Sequence, residues 1–143
     1  MRNLKLVLAA LFLFLGVGAV PAQIVITTPL QGPTLTPLTP STTFTTGAAT
    51  ATLAGAAGKW TYICGFTVTS TATTSSIPGT ITVTGTPSTM NFTYTFVQTG
   101  QGILGIAFPG CITASAPNTN IVVNVPAGGT GTVGSVSAWG FVN

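Results

Sequence analysis

The chain predicts an all-β protein. The expected form is a single β-sandwich or jelly-roll-like domain of about seven or eight short antiparallel strands, behind a signal peptide and an extended Pro/Thr arm. Three observations carry this. From Ala48 onward apolar residues recur with a period of two, not the helical period of about 3.6. Thr, Val, Ile and aromatic residues, which fit a pleated surface, dominate those stretches. Gly, Pro, Ser and Asn collect between them, as turns require.

Residues 1–22 read as a signal peptide. Arg2 and Lys5 form a basic start, Leu6–Val20 is apolar and uncharged, and Val20-Pro21-Ala22 fits the small-x-small pattern before a cut at Gln23. The apolar run is short for a bilayer span, which takes about 20 residues, so membrane attachment would require an uncleaved signal. Residues 23–47 form the arm. Pro29, Pro33, Pro37 and Pro40 exclude a helix, deny a regular ladder and favour a polyproline-like path. Composition leaves open whether this segment is a free linker or a strap lying on the domain. Ile24, Val25, Ile26 and Thr27 are a candidate strand-exchange segment that would add to a neighbour's sheet edge.

Residues 48–143 form the expected domain. Trp60, Tyr62, Cys64, Phe66 and Val68 alternate with Thr61, Ile63, Gly65, Thr67 and Thr69. Ile81 and Val83 sit between Thr80, Thr82 and Thr84, while Met90, Phe92, Tyr94 and Phe96 alternate with Asn91, Thr93 and Thr95. Further strands are expected in Ile103–Phe108, Ile121–Val125 and Thr132–Val142.

Composition restricts function more sharply than any motif. Among 143 residues there is no Asp, Glu or His, and only three are Lys or Arg. Carboxylate pairs, Ser-His-Asp triads and His/carboxylate metal sites therefore have no raw material. Ser and Thr nucleophiles are plentiful but lack a base, and the expected mature terminus, Gln23, is not a nucleophile. The expectation is a non-enzyme with no cofactor and no metal. Once the signal leaves, Lys59 is the one charged side chain, too little for a nucleic-acid groove. Near-zero charge favours self-association or contact with another exterior structural protein, and the edge strands lack their usual charged guards.

Cys64 and Cys111 are an even pair in an exported chain and predict a disulfide closing a loop of about 48 residues. The rival, free thiols or a redox pair, lacks a charged neighbour to lower a thiol pKa. Asn91-Phe92-Thr93 matches a glycosylation sequon, against the chance occurrence expected in so Asn- and Thr-rich a chain. GGTGTVG at 128–134 lacks the Lys and the following helix of a phosphate loop and reads as a hairpin connection. Lys59 beside Trp60 reads as a solvated charge at a strand entry, with a cation–π contact as its rival. Trp60, Tyr62, Trp139 and Phe141 fit either core packing on the alternating face or a platform for sugar rings, with Trp60 and Trp139 as surface contacts.

YICGF at 62–66, CITASAPNTNIVVNV at 111–125 and the closing VSAWGF resemble a pattern in small exported proteins of bacteriophages and prophages from soil α-proteobacteria. There, a Cys-containing early strand is followed by a second Cys, a short NT-type turn and a hydrophobic terminal strand. The resemblance implies a phage-linked exterior β-protein without catalytic residues.

Three readings of function follow. The first is an exported structural or surface-interaction protein, a repeated subunit of an extracellular assembly such as a virion decoration or a filament. The second is a secreted module that attaches to polysaccharide or a host surface. The third is a small outer-membrane barrel, although several strands fall short of the ~9–11 residues such barrels use. The first two place the protein outside the cell or on a virion surface.

Overall fold

A computed structural model describes residues 34–73 and 76–143. These form nine strands and no helix: β1 (Thr36–Leu38), β2 (Ser41–Thr45), β3 (Ala49–Leu53), β4 (Thr61–Thr71), β5 (Ile77–Thr84), β6 (Met90–Phe96), β7 (Gly102–Thr113), β8 (Ile121–Val125) and β9 (Val133–Val142). Every ladder between them is antiparallel. One sheet holds five strands, with β1 and β2 on the same edge of β9, followed by β4 and β7. The other holds four, in the order β3, β8, β5, β6. If β1 and β2 count as one edge strand, the first sheet runs first, eighth, third and sixth along the chain, and the second runs second, seventh, fourth and fifth. Neither sheet closes on itself, so the described strands form no closed barrel.

The described part of the Pro/Thr segment belongs to the first sheet, which moves the start of the fold from the expected Ala48 back to β1. Thr36 lies opposite Val142 and Leu38 opposite Gly140, and beyond Pro40 the pairing resumes in the same register with Ser41 opposite Ser137. The Ala138 N–H donates to the Pro40 carbonyl at 3.0 Å, bridging the gap between β1 and β2. Pro40 has no N–H to return that bond, which interrupts the ladder without ending the strand. Prolines are tolerated here because this is an edge. Residues 1–33, including the signal and Ile24–Thr27, lie outside the described residues.

The two sheets enclose one core. Leu53, Ile81, Val83, Phe96, Ile121, Val123 and Val125 come from the second sheet, and Ile63, Phe66, Val68, Val136 and Ala138 from the first. The Phe66 ring lies 5.2 Å from Phe92 and 6.4 Å from Phe108, tying β4, β6 and β7 together. A buried hydroxyl pair, Ser70 Oγ and Tyr94 Oη at 2.8 Å, links the sheets near the other end of β4.

The strand β4 departs from simple alternation at Cys64. Ile63 faces Gly140 of β9, yet Gly65 already faces Trp139, so Cys64 is an extra residue. On the β7 side, Ile63 faces Ile112 and Gly65 faces Ala107, leaving residues 108–111 opposite Cys64. Such a bulge reverses which residues point inward. Thr61 and Ile63 are fully buried before it, and Phe66 and Val68 after it. The expected single face running from Trp60 through Val68 is therefore split, and Trp60 and Tyr62 turn away from the core. The glycine-rich segment 128–134 also differs from expectation. It joins β8 to β9, which lie in different sheets, and so is a crossover and not a hairpin. Thr132 Oγ1 donates to the Gly128 carbonyl at 2.6 Å and helps close that turn.

Candidate functional site

The bulge gathers aromatic side chains on the outer face of the five-stranded sheet. Tyr62 and Phe141 are paired in register and their rings stack, with centroids 4.7 Å apart and planes at 17°. Trp139 occupies the next outward position on β9, across from Gly65. The indole covers Gly65 so closely that a Cβ there would collide with the Trp139 ring and the Ile106 carbonyl oxygen. Trp60 precedes β4, bonds with Asn143 through both backbone groups at 2.9 and 3.0 Å, and is 39% exposed. Tyr62, Trp139 and Phe141 are each half-buried. Of the two arrangements the sequence allows for these residues, packing in the core is not the one found: all four lie outside it. Gly65→Ala is expected to cost about 1–3 kcal/mol through overpacking and to shift tryptophan emission, because the indole must leave its seat. Chemical denaturation followed by fluorescence checks both.

Away from the aromatic end, the same face becomes a hydroxyl grid. Register places Ser41, Ser137 and Thr67 in one row and Thr43, Ser135 and Thr69 in the next. Ser41 Oγ and Ser137 Oγ are 2.8 Å apart, and Thr69 Oγ1 and Ser135 Oγ 2.9 Å. A shallow recess of about 160 Å³ lies at the far end, lined by Thr69, Ser70, Thr71, Gln101, Val133 and Gly134. Among the described residues, no charged side chain belongs to these hydroxyl rows.

Cys64 and Cys111 form the expected disulfide, with Cα atoms 4.1 Å apart, across the bulge beside the aromatic group. Cys111 has φ of 45°, a left-handed conformation at the end of the 108–111 stretch that β7 leaves opposite Cys64. Lys59 lies in the loop before β4, where its N–H donates to the Ala56 carbonyl at 3.0 Å and its carbonyl accepts from Asn118 at 2.9 Å. Asn120 Oδ1 accepts from the Gly55 N–H at 2.7 Å, so Asn118 and Asn120 latch this loop to the turn before β8. Their only sequence signal was the turn preference of Asn. No protein-family profile, curated protein or solved structure matches this chain.

Asn91 is exposed on β6, on the opposite sheet and away from the aromatic group. It faces outward while Phe92 and Phe96 turn to the core. Among the described residues β6 is an edge strand whose one ladder, with β5, runs from Met90 to Phe96. Its sequence, MNFTYTF, contains no charge, no Pro and no Gly. Strand-edge availability of this kind emerges only from sheet order, which the linear pattern does not carry.

Proposed function

We propose that this is a non-enzymatic exported structural protein, a repeated exterior subunit of an extracellular assembly such as a virion decoration or a filament. The observation that carries the reading is the bare edge of β6. An uncharged, Pro-free strand with high β propensity is a template for a further strand, and natural proteins ordinarily guard such edges with Lys, Pro or a bulge. Two of the other three edges carry such guards, Pro37 and Pro40 on β1/β2 and the bulge on β7, while the third, β3, is only five residues long. The strand order, read as a jelly roll, supports the same view by analogy, since that architecture serves viral capsid and lectin domains. The resemblance to exported phage proteins points the same way. A disulfide is compatible with an oxidising exterior compartment.

In this reading β6 accepts a strand from a neighbour, and Ile24–Thr27 is the candidate donor. The test is sedimentation of extracellular material from the native producer, combined with two variants. Wild-type protein is expected to travel with large particles. Thr93→Lys with Thr95→Lys, both exposed on β6, should remain folded and stay at the top of the gradient. Deleting residues 23–33 leaves every described strand in place and should have the same effect if the arm is the donor. Wild-type protein found only as a free monomer would overturn the reading.

A further inference from the structure

We infer that the outer face of the five-stranded sheet binds a neutral polysaccharide, lying along β4 and β9 from the aromatic end towards the recess at Gln101. This face is separate from the β6 edge, which belongs to the other sheet. Sugar rings present apolar C–H faces and equatorial hydroxyls together, and this surface offers the complement of each. The stacked Tyr62 and Phe141 rings, with Trp60 and Trp139, supply aromatic contact at one end. Ser and Thr hydroxyls, each able to donate and accept, supply the next rows. Gln101 adds an amide at the far end.

Spacing and charge select the ligand class. The eight residue steps from Phe141 to Val133 span about 26 Å at a strand's rise, long enough for several consecutive sugars. Hydroxyls that repeat every second residue along a strand suit a ligand that itself repeats. Among the described residues the face carries no carboxylate, and the one cation near it is Lys59 in the loop before Trp60, too little to hold an acidic polymer or an anionic lipid surface. A protein partner would favour a broad apolar centre with a polar rim. Here the aromatic group sits at one end and hydroxyls of β2, β9 and β4 occupy the middle, with Ile103 of β7 an isolated apolar side chain beside Thr69.

The experiment is affinity electrophoresis of the mature, disulfide-bonded protein through gels containing dextran, galactomannan, xyloglucan or hydroxyethylcellulose. Alginate and phosphatidylcholine vesicles serve as the charged-polymer and lipid comparisons. Retardation by at least one neutral polymer is expected, weakened about tenfold by Trp60→Ala or Tyr62→Ala. Thr67→Val combined with Ser137→Ala, which leaves the aromatic residues untouched, should also weaken it, and circular dichroism verifies that each variant is folded. No retardation by any of the four polymers overturns the inference, as does retention that all these folded variants preserve. Preferential binding to alginate or to vesicles also overturns it. So does a Trp60→Ala effect on sedimentation alone, which would make the face a contact between copies. The Thr93→Lys and Thr95→Lys variant should abolish assembly while leaving retardation unchanged, so failure of one reading is distinguishable from failure of the other.

Discussion

Removing the Cys64–Cys111 bridge, by replacing both residues with Ser, is expected to lower the unfolding free energy by about 4 kcal/mol. The figure follows from loop closure. The cysteines are 47 positions apart, and opening the link releases that span in the unfolded chain. The released span contains β5 and β6 entirely, half of the second sheet. In the folded state the bridge also pins residues 108–111 against the single extra residue of β4, so its loss should loosen the end of β7 near Thr113. Equilibrium denaturation of wild-type and variant provides the measurement, with amide exchange showing whether the opening is confined to that end. A difference below about 1 kcal/mol would mean that the unfolded chain already holds the two cysteines close.

The second large effect is expected at Phe66. Its ring is fully buried and touches both Phe92 on β6 and Phe108 on β7, so it holds opposite sheets as well as adjacent strands. Phe66→Ala should cost about 3–5 kcal/mol, the lost transfer energy plus the cavity left between the sheets. Phe66→Leu, which refills much of the volume, should cost less. Ile103→Ala is the control: at 64% exposed, the side chain has little burial to lose and the change should stay within about 0.5 kcal/mol. Urea midpoints for the three variants test the order. A Phe66→Ala loss no larger than that of Ile103→Ala would contradict the packing described for this core.

What could be read from the sequence depended on how strongly each residue type signals its face. Met90 to Phe96 alternates large apolar residues with Asn and Thr, and the structure keeps that alternation intact. β3 is Ala-Thr-Ala-Thr-Leu, whose small buried alanines give a pattern too faint to stand out. β1 and β2 were hidden by proline, because composition alone does not distinguish a free arm from an edge strand. Threonine blurs the outer surface: Thr61 and Thr132 are fully buried, whereas Thr50 and Thr93 are exposed. The bulge was the costliest omission. One inserted residue at Cys64 exchanges the faces, so the four aromatics were identifiable as a group while the choice between core and outer face waited on the register. The hydroxyl grid was invisible for a related reason, since it requires the register of three strands distant in the chain.

The place of β9 has a consequence in time. It pairs with β4 along one side and with β1 and β2 along the other, although among the described strands it is the last in chain order. Until residues 133–142 have emerged, β1 and β2 have no ladder partner and β4 lacks one of its two neighbours. The closing pairs, such as Thr36 with Val142, join positions at nearly opposite ends of the described chain. Contacts this distant in sequence form slowly and late. A nascent chain that has not yet exposed residues 133–142 therefore cannot complete the first sheet, and its earlier strands stay unpaired on that side until β9 arrives.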